Sequence, residues 1–163
     1  MLTWTKSKSR TGLDLPGVSF FDYPYAADSV IPDNLIKDID AIINLAGEPI
    51  FTGRWTEEKK KKIAESRINI TRKLVESIAR LPWKKPQVLV SASAVGNYGP
   101  SDETELSEES PPGNDFLAQV CTQWEKEALK AEDFGVRTVI LRTGIVLDRG
   151  GGALAKMIPP FKY

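Results

Sequence analysis

The sequence predicts an α/β fold built on a doubly wound parallel sheet. Residues 41–47 and 88–90 are apolar runs without alternation, the pattern of strands buried on both faces of such a sheet. Segments with helical spacing of apolar residues separate these runs from each other and from a third run at 136–142. Strands that alternate with helices form parallel sheets through right-handed crossovers. We expect one domain over residues 1–163, because the chain has no internal repeats and no low-complexity linkers.

The first third of the chain contains three predicted strands. Residues 2–5 and 18–22 are rich in strand-forming residue types. A short helix is predicted over residues 31–38, with Pro32 in its first turn. The strand at 41–47 lacks alternation, so we expect it in the centre of the sheet.

One long helix is predicted from Thr56 to about Leu81. Thr56 is the expected N-cap, and acidic residues follow it at the positive end of the helix dipole. Arg67 interrupts an apolar stripe whose other members are Ile63, Ile70, Leu74 and Ile78. A core-facing arginine is costly unless an anion meets it, so the pattern indicates a bound phosphate or a buried carboxylate partner. The alternative is an arginine that snorkels from the border of the stripe.

The carboxyl end of the strand at 88–90 is the first candidate site. The apolar run passes into Ser91, Ala92 and Ser93 and then into glycines, at the edge where open α/β sheets bind their ligands. Hydroxyl groups at this edge indicate either a functional site or a loop of small residues that simply leaves the sheet.

A further helix follows an acidic, proline-bearing loop and is expected to be capped by Asn114 or Asp115. One of its faces carries residues at helical spacing, namely Leu117, Cys121, Trp124 and Ala128. This spacing predicts that Cys121 is a small buried hydrophobe and not a nucleophile. Gly135 is expected to end the helix before the strand at 136–142.

Composition excludes several classes of function. Lys+Arg and Asp+Glu both number 22, so no net charge attracts nucleic acid or an acidic membrane. The chain has no histidine, which rules out a Ser-His-Asp or Cys-His mechanism, and with a single cysteine no transition-metal site is expected. No apolar stretch approaches the ~20 residues that span a bilayer, and no signal peptide is apparent. We expect a soluble cytoplasmic protein, with an organelle as the alternative location.

Five motifs, taken in order, resemble one known family. The motifs are Asn44-Leu-Ala-Gly-Glu48, Glu65-Ser-Arg67, Val90-Ser-Ala-Ser-Ala-Val-Gly-Asn-Tyr-Gly99, Trp124-Glu125, and Arg142-Thr-Gly-Ile-Val-Leu with Gly150-Gly-Gly-Ala-Leu154. They are similar to those of NAD(P)-dependent epimerase-like proteins of the extended short-chain dehydrogenase/reductase superfamily, in the branch sometimes labelled cell-division inhibitor. The resemblance covers nearly the whole chain and implies a Rossmann-like sheet that binds a nicotinamide dinucleotide.

The resemblance also implies an NADP site and a catalytic serine. Thr5 and Lys6 would meet the 2′-phosphate of NADP, where an acidic residue would have favoured NAD. Ser93 matches the serine that hydrogen-bonds the substrate oxygen during hydride transfer. The remaining cofactor-binding positions are Leu45, Ala46, Gly47, Arg67 and Val146.

The chain departs from the family pattern in two ways. The family pairs its serine with a tyrosine and with a lysine four residues later, and this chain has Phe116 with Val120, or Leu117 with Cys121, in that place. Tyr98 is the nearest tyrosine that could substitute. The sequence also has no GxGxxG motif. We therefore expect an incomplete sheet, truncated at both ends, that lacks the first strand, the Gly-rich loop and the C-terminal substrate region.

Three functions stay open at this point. The first is an NADP-binding oxidoreductase or epimerase that acts on an unknown small molecule, with NAD as the less favoured cofactor. The second is a non-catalytic dinucleotide-binding or regulatory protein that lost the proton-transfer pair. The third is an inactive truncated product. A homodimer is one alternative for the oligomeric state.

Overall fold

The computed structural model describes residues 2–5, 16–22, 31–82, 84–148 and 152–161. Its strands are β1 (Leu2–Thr5), β2 (Ser19–Asp22), β3 (Ala41–Asn44), β4 (Val88–Ala94), β5 (Arg137–Thr143) and β6 (Leu147–Asp148). Its α-helices are α1 (Asp33–Ile36), α2 (Glu57–Arg80), α3 (Phe116–Leu129) and α4 (Gly152–Met157). Short 3₁₀ segments follow β4 at Val95–Tyr98, α3 at Lys130–Phe134 and α4 at Pro159–Phe161.

The strand pairs of the described sheets are parallel, which confirms the predicted α/β fold class. Strand β1 pairs with β2, and β3, β4 and β5 form a second sheet in that order. In the second sheet, Leu89 of β4 lies between Ile42 of β3 and Thr138 of β5. Helices α2 and α3 connect these neighbouring strands, as crossovers of a parallel sheet require.

Strand β3 lies at the edge of its three-stranded sheet, so the prediction of a central position is wrong for the described sheet. It also ends at Asn44, before the predicted end at residue 47. Ile42 is 6% exposed whereas Ile43 is 66% exposed, so the strand is covered on one face only. An apolar run without alternation does not reveal which face of a strand meets a helix, and here both α2 and α3 cover the same face.

The hydrophobic core lies between this face and the helices. Its members come from strands and helices alike, and they include Ile42, Leu74, Val75, Ile78, Leu89 and Ala128. Because side chains alternate along a strand, the buried positions of β4 are Leu89, Ser91 and Ser93, while its remaining residues are half-buried. The carboxyl end of β4 therefore directs a serine toward the helical layer.

The entry into α3 is fixed by a cap and by a close approach of two glycines. Asp115 is the N-cap, and its Oδ1 accepts a hydrogen bond from the Ala118 amide at 2.9 Å. A Cβ at Gly113 would lie 2.7 Å from Gly99 Cα and 2.7 Å from the Tyr98 carbonyl oxygen. Only glycine fits there, and the contact holds the loop before α3 against the segment that follows β4.

The lysine run at the start of α2 is mostly a solvated face. Lys60, Lys61 and Lys62 form ion pairs with exposed glutamates on the same helix. Lys59 is the exception, because its side chain is 13% exposed and its Nζ lies 2.9 Å from Glu48 Oε1. Among the helices of the described ranges, none is long and apolar enough to cross a membrane.

The one-sided burial of β3 can be tested with a matched pair of substitutions. We expect Ile42→Val to lower the free energy of unfolding by about 1 kcal/mol, because it removes a buried methyl group. Ile43→Val, at the adjacent exposed position, should change it by less than about 0.5 kcal/mol. Urea unfolding of the 163-residue chain measures both values. Equal losses in the two variants would contradict the assignment of the covered face.

Candidate functional site

The carboxyl ends of three parallel strands meet at one edge of the sheet. We call this edge the rim and define it as residues 44–47, 93–98 and 142–146. The strand register places Ser93 of β4 beside Arg142 of β5. The rim thus brings together segments that are far apart in the chain, at the edge where open α/β sheets bind ligands.

Ser93 and Arg142 of the rim form a hydrogen-bonded triad with Glu125 of α3. Ser93 Oγ donates to Glu125 Oε1 at 2.5 Å. Arg142 binds both carboxylate oxygens, with Nε 2.9 Å from Oε1 and Nη2 2.8 Å from Oε2. Ser93 is 5% exposed and Glu125 is 8% exposed. A carboxylate this buried stays charged only when it is well paired, and the bidentate arginine meets that need.

The triad holds Glu125 in its charged form. Burial alone would raise the pKa of Glu125, but hydrogen bonds from Arg142 and Ser93, together with the Arg142 charge, lower that pKa below its ordinary value of 4.5. The hydrogen bond to Glu125 is also the main reason that the pKa of Arg142 is raised. At neutral pH the Glu125 carboxylate is therefore the acceptor of the hydrogen bond between these two residues, and the Ser93 hydroxyl is its donor.

Arg142 also holds Tyr98 and the acidic loop that precedes α3. Its Nη1 donates to Tyr98 Oη at 2.8 Å and to the Glu108 carbonyl oxygen at 2.7 Å. The guanidinium carbon lies 5.0 Å from the centroid of the Tyr98 ring. Tyr98 ends the short segment that directly follows β4 and is half-buried. One arginine thus fixes the phenol, the loop and the buried carboxylate relative to each other.

Arg67 is half-buried near the end of β3. Its Nη1 donates to the carbonyl oxygens of Glu48 and Ile63, each at 3.1 Å, and its Cζ lies 5.5 Å from the centroid of the Trp124 ring. Partial burial lowers the pKa of the guanidinium. Within the described part of the chain, Nε and Nη2 of Arg67 donate to no acceptor. Both nitrogens lie on the side of the guanidinium that faces Gly47.

The backbone of residues 45–47 passes directly beside this guanidinium. A Cβ at Gly47 would lie 2.9 Å from Arg67 Cζ, closer than real Cβ contacts allow. Asn44 Oδ1 accepts a hydrogen bond from the Ala46 amide at 3.3 Å, which turns the chain as it leaves β3. Leu45 is 71% exposed. Residues 45–47 therefore present the exposed Leu45 side chain and the backbone of Gly47, which lies beside the Arg67 guanidinium.

Phe116, the first residue of α3, is one of the two positions, with Leu117, that the family resemblance assigns to a tyrosine. The Trp55 ring packs edge-on against it at 5.9 Å between centroids, and Lys60 Nζ lies 5.8 Å from its centroid. Val120 follows one turn later and is buried. Neither Phe116 nor Val120 has a side-chain proton to transfer, so this position supplies no acid or base.

Comparison with known proteins decides the family. A sequence model of the NAD-dependent epimerase/dehydratase family matches residues 7–161. The chain belongs to this family. Two of its similar relatives are the "Epimerase family protein SDR39U1 homolog, chloroplastic" of Arabidopsis thaliana, 46% identical over 97% of this chain, and "Epimerase family protein YfhF" of Bacillus subtilis, 43% identical over 85% of it.

Solved structures of this epimerase family resemble the fold. Human epimerase family protein SDR39U1, crystallised with NADPH, is 31% identical, has a TM-score of 0.71 and matches 98% of this chain. A nucleoside-diphosphate sugar epimerase from Corynebacterium glutamicum is 30% identical, also with a TM-score of 0.71, and matches 89% of this chain. The chain spans 45% of the Arabidopsis and Bacillus relatives, 50% of the human structure and 32% of the Corynebacterium structure.

The structure brings together four of the cofactor positions that the family resemblance implies. Leu45, Ala46 and Gly47 form one short segment, and Arg67 of α2 lies against it. The sequence left open whether Arg67 meets a phosphate, a buried carboxylate or the border of the stripe. It is half-buried, as a border position implies, with carbonyl oxygens and an aromatic face as its neighbours.

The other predicted site residues are placed apart or lie outside what is described. Val146 lies on the loop after β5 and is 71% exposed. Thr5 ends β1, and Lys6 lies outside the described residues. Ser93 lies at the rim but is buried, and its hydroxyl is hydrogen-bonded to Glu125. The roles of these residues in the family site stay predictions.

Sequence reasoning gave no role to Glu125, although Trp124-Glu125 was one of the family motifs. The available signal was an acidic residue next to the buried stripe of α3, the same kind of signal that marked Arg67. Cys121, four residues earlier, behaves as predicted, because it is buried and burial raises the pKa of its thiol. A buried charge needs partners, but the sequence does not name them.

The lowered pKa of Glu125 predicts a specific loss of stability in acid. Its contribution is fully present above the carboxyl pKa of the unfolded chain and is lost as pH falls through the lower folded value. Between pH 6 and pH 3, roughly, wild-type stability should therefore fall more steeply than that of Glu125→Gln. At neutral pH the variant should be less stable by about 2 kcal/mol, since Arg142 loses a charged partner. Urea unfolding at several pH values measures both effects, and parallel curves would contradict the assignment.

Proposed function

We propose that this chain forms one side of an NADP-binding site in an oxidoreductase or epimerase that acts on a small molecule. The observation that carries the proposal is the contact of Gly47 with Arg67 at the rim, where a Cβ at position 47 would displace the guanidinium from its present position. A bare backbone beside a cation is the arrangement that lets a charged nucleotide approach closely. Membership of the epimerase/dehydratase family agrees with it.

The residues at the rim fit a dinucleotide in two further ways. Leu45 and Val146 are each 71% exposed and offer apolar contact to flat rings. Arg67 retains Nε and Nη2 for phosphate or ribose oxygens, to which a guanidinium can donate in pairs. These contacts orient a nucleotide along the carboxyl edge of the sheet. When bound, NADPH supplies the hydride for the reaction.

NADP is favoured over NAD by the charge of the residues assigned to the adenosine half. Lys6 follows β1 in the sequence, where an acidic residue would instead select the free ribose hydroxyl of NAD. Arg67 adds a second cation. The human relative was crystallised with NADPH, which supports the same choice.

A non-catalytic dinucleotide-binding protein is the second candidate. It is favoured by the side chains of Phe116 and Val120, which cannot move a proton. It is also favoured by the burial of Ser93, a residue that is only 5% exposed. Under this alternative the rim binds NADPH with no turnover of any carbonyl or nucleotide-sugar substrate.

Cofactor binding is tested with Arg67→Ala in the longest reading frame that contains residues 1–163. We expect the Kd for NADPH to rise by about tenfold to a hundredfold, because charged hydrogen bonds worth about 1.5–3 kcal/mol are lost. The Kd for NADH should rise less, since NADH lacks the 2′-phosphate. Isothermal titration calorimetry with each cofactor gives the two ratios.

Arg80→Ala is the matched control, because Arg80 lies in the last turn of the same helix, about 20 Å from Arg67 along its axis. It should leave both dissociation constants unchanged. Equal losses for NADPH and NADH in Arg67→Ala would show that the guanidinium does not meet the 2′-phosphate. Absence of NADPH binding in the unaltered protein would overturn the proposed function itself.

A further inference from the structure

The geometry points to Tyr98 as the residue that donates a proton to the oxygen of a bound substrate, with Arg142 as its positioning residue. This inference rests on the proposed function and names the proton source for it. The source is otherwise missing, because Phe116 with Val120, or Leu117 with Cys121, stand where the family resemblance implies a tyrosine and a lysine. Four side chains carry the inference: Ser93, Tyr98, Glu125 and Arg142.

The hydroxyl proton of Ser93 is engaged in a hydrogen bond to Glu125. Ser93 Oγ lies 2.5 Å from Glu125 Oε1, and a carboxylate held in its charged form can only accept. A hydroxyl has a single proton, so Ser93 cannot donate to a substrate while this bond exists. Toward a ligand, Ser93 presents lone pairs only.

The proton of Tyr98 is free by the same reasoning. Arg142 Nη1 lies 2.8 Å from Tyr98 Oη, and a guanidinium has donors but no acceptor. The phenol oxygen therefore accepts from Arg142, and its own hydrogen must point elsewhere. Across residues 31–82 and 84–148, no side chain or carbonyl accepts it. A half-buried phenol with an unused proton is left at the rim.

Arg142 holds this phenol in one orientation. The arginine side chain is 24% exposed, and both oxygens of Glu125 fix its guanidinium. A phenolate oxygen, once its proton has left, would keep the Arg142 hydrogen bond, which then joins two charged groups and becomes stronger. The Ser93–Glu125 pair thus acts on Tyr98 through Arg142 and does not itself donate.

Other groups near the rim are less suited to donate a proton. Lys59 pairs with Glu48 at 2.9 Å, and Cys121 is buried. In a reduction the substrate carbonyl carbon would gain the hydride that NADPH supplies, the C=O π electrons move to oxygen, and that oxygen takes the Tyr98 proton. A C–H bond and an O–H bond form on the substrate, while one C–H bond of the cofactor and the O–H bond of Tyr98 break, so that NADPH is oxidised to NADP⁺ and water then returns a proton to the phenolate. Oxidation of an alcohol follows the same steps in reverse.

Proton NMR of the 18.1 kDa chain tests which hydroxyl is committed. Buried Ser77, which donates to the Lys73 carbonyl oxygen, can give a slowly exchanging hydroxyl resonance of its own. We expect a further such resonance that disappears in Ser93→Ala and shifts or broadens in Glu125→Gln. Tyr98→Phe should leave that resonance in place, since the Tyr98 proton exchanges with water. The inference is overturned when a protected resonance instead disappears in Tyr98→Phe, or when no protected hydroxyl resonance depends on Ser93. Exposed Ser101→Ala is the matched serine control.

Turnover separates this inference from the proposed function. The longest reading frame that contains this chain is assayed for NADPH oxidation with aldehydes, ketones and nucleotide sugars. Tyr98→Phe should lower kcat by about a hundredfold or more while the Kd for NADPH stays within about twofold. Ser93→Ala should keep a larger share of kcat than Tyr98→Phe.

The outcomes are distinct. An unaltered protein that fails to bind NADPH refutes the proposed function. A protein that binds and turns over substrate, with a Tyr98→Phe variant of nearly full kcat, refutes the role of Tyr98 alone. Binding without turnover of any compound counts against the proposed chemistry, and the NMR result then decides the proton assignment by itself.

Discussion

A carboxylate can remain charged inside a protein only when cations and hydrogen-bond donors surround it, and Glu125 imposes this condition on the whole rim. It projects from α3 and is met by Ser93 from β4 and Arg142 from β5. Those three elements must therefore be in register before the charge is compensated. The same arginine then reaches Tyr98, so the order of the candidate site depends on the buried charge.

The sheet is covered unevenly, and this asymmetry places the site. Helices α2 and α3 both pack on one face, where Leu89 and Ile42 join the core. The other face leaves Ile43 and Leu141 exposed, at 66% and 44%. Polar side chains at the strand ends, such as Asn44 and Ser93, turn toward the helical layer and become hydrogen-bonded there. The groups that remain accessible at the rim are the backbone of residues 45–47, the exposed side chains of Leu45 and Val146, and the half-buried phenol of Tyr98.

Two arginines have different surroundings at this edge. Arg67 lies beside the backbone of Gly47, and its Nη1 donates to backbone carbonyl oxygens. The Arg142 guanidinium donates hydrogen bonds to Glu125, to Tyr98 and to the Glu108 carbonyl oxygen. It therefore fixes the positions of these neighbours. The family resemblance implies a tyrosine and a lysine at the start of α3, and in this chain the hydrogen-bonded polar groups Ser93 and Arg142 lie instead at the end of β4 and on β5.

Much of the fold follows from residues that are close together in the chain. Apolar periodicity predicts the ends of most strands and helices to within a few residues. Thr56 caps α2, because its hydroxyl accepts a hydrogen bond from the Lys59 amide, and Cys121 lies on a buried face of α3. These features depend on local spacing and backbone hydrogen bonds, which the sequence determines by itself. The family motifs likewise indicate a parallel sheet with a ligand at its carboxyl edge.

The tertiary structure alone decided which surfaces meet. Strand β3 lies at a sheet edge and is covered on one side, although its apolar run is as unbroken as that of a central strand. Glu125 finds Arg142, 17 residues away, and Ser93, 32 residues away. Periodicity marks a buried face or a buried charge but carries no information about its partner, because the partner is brought there by packing between distant segments. The direction of the Ser93 proton, and with it the chemistry at the rim, depends on that packing.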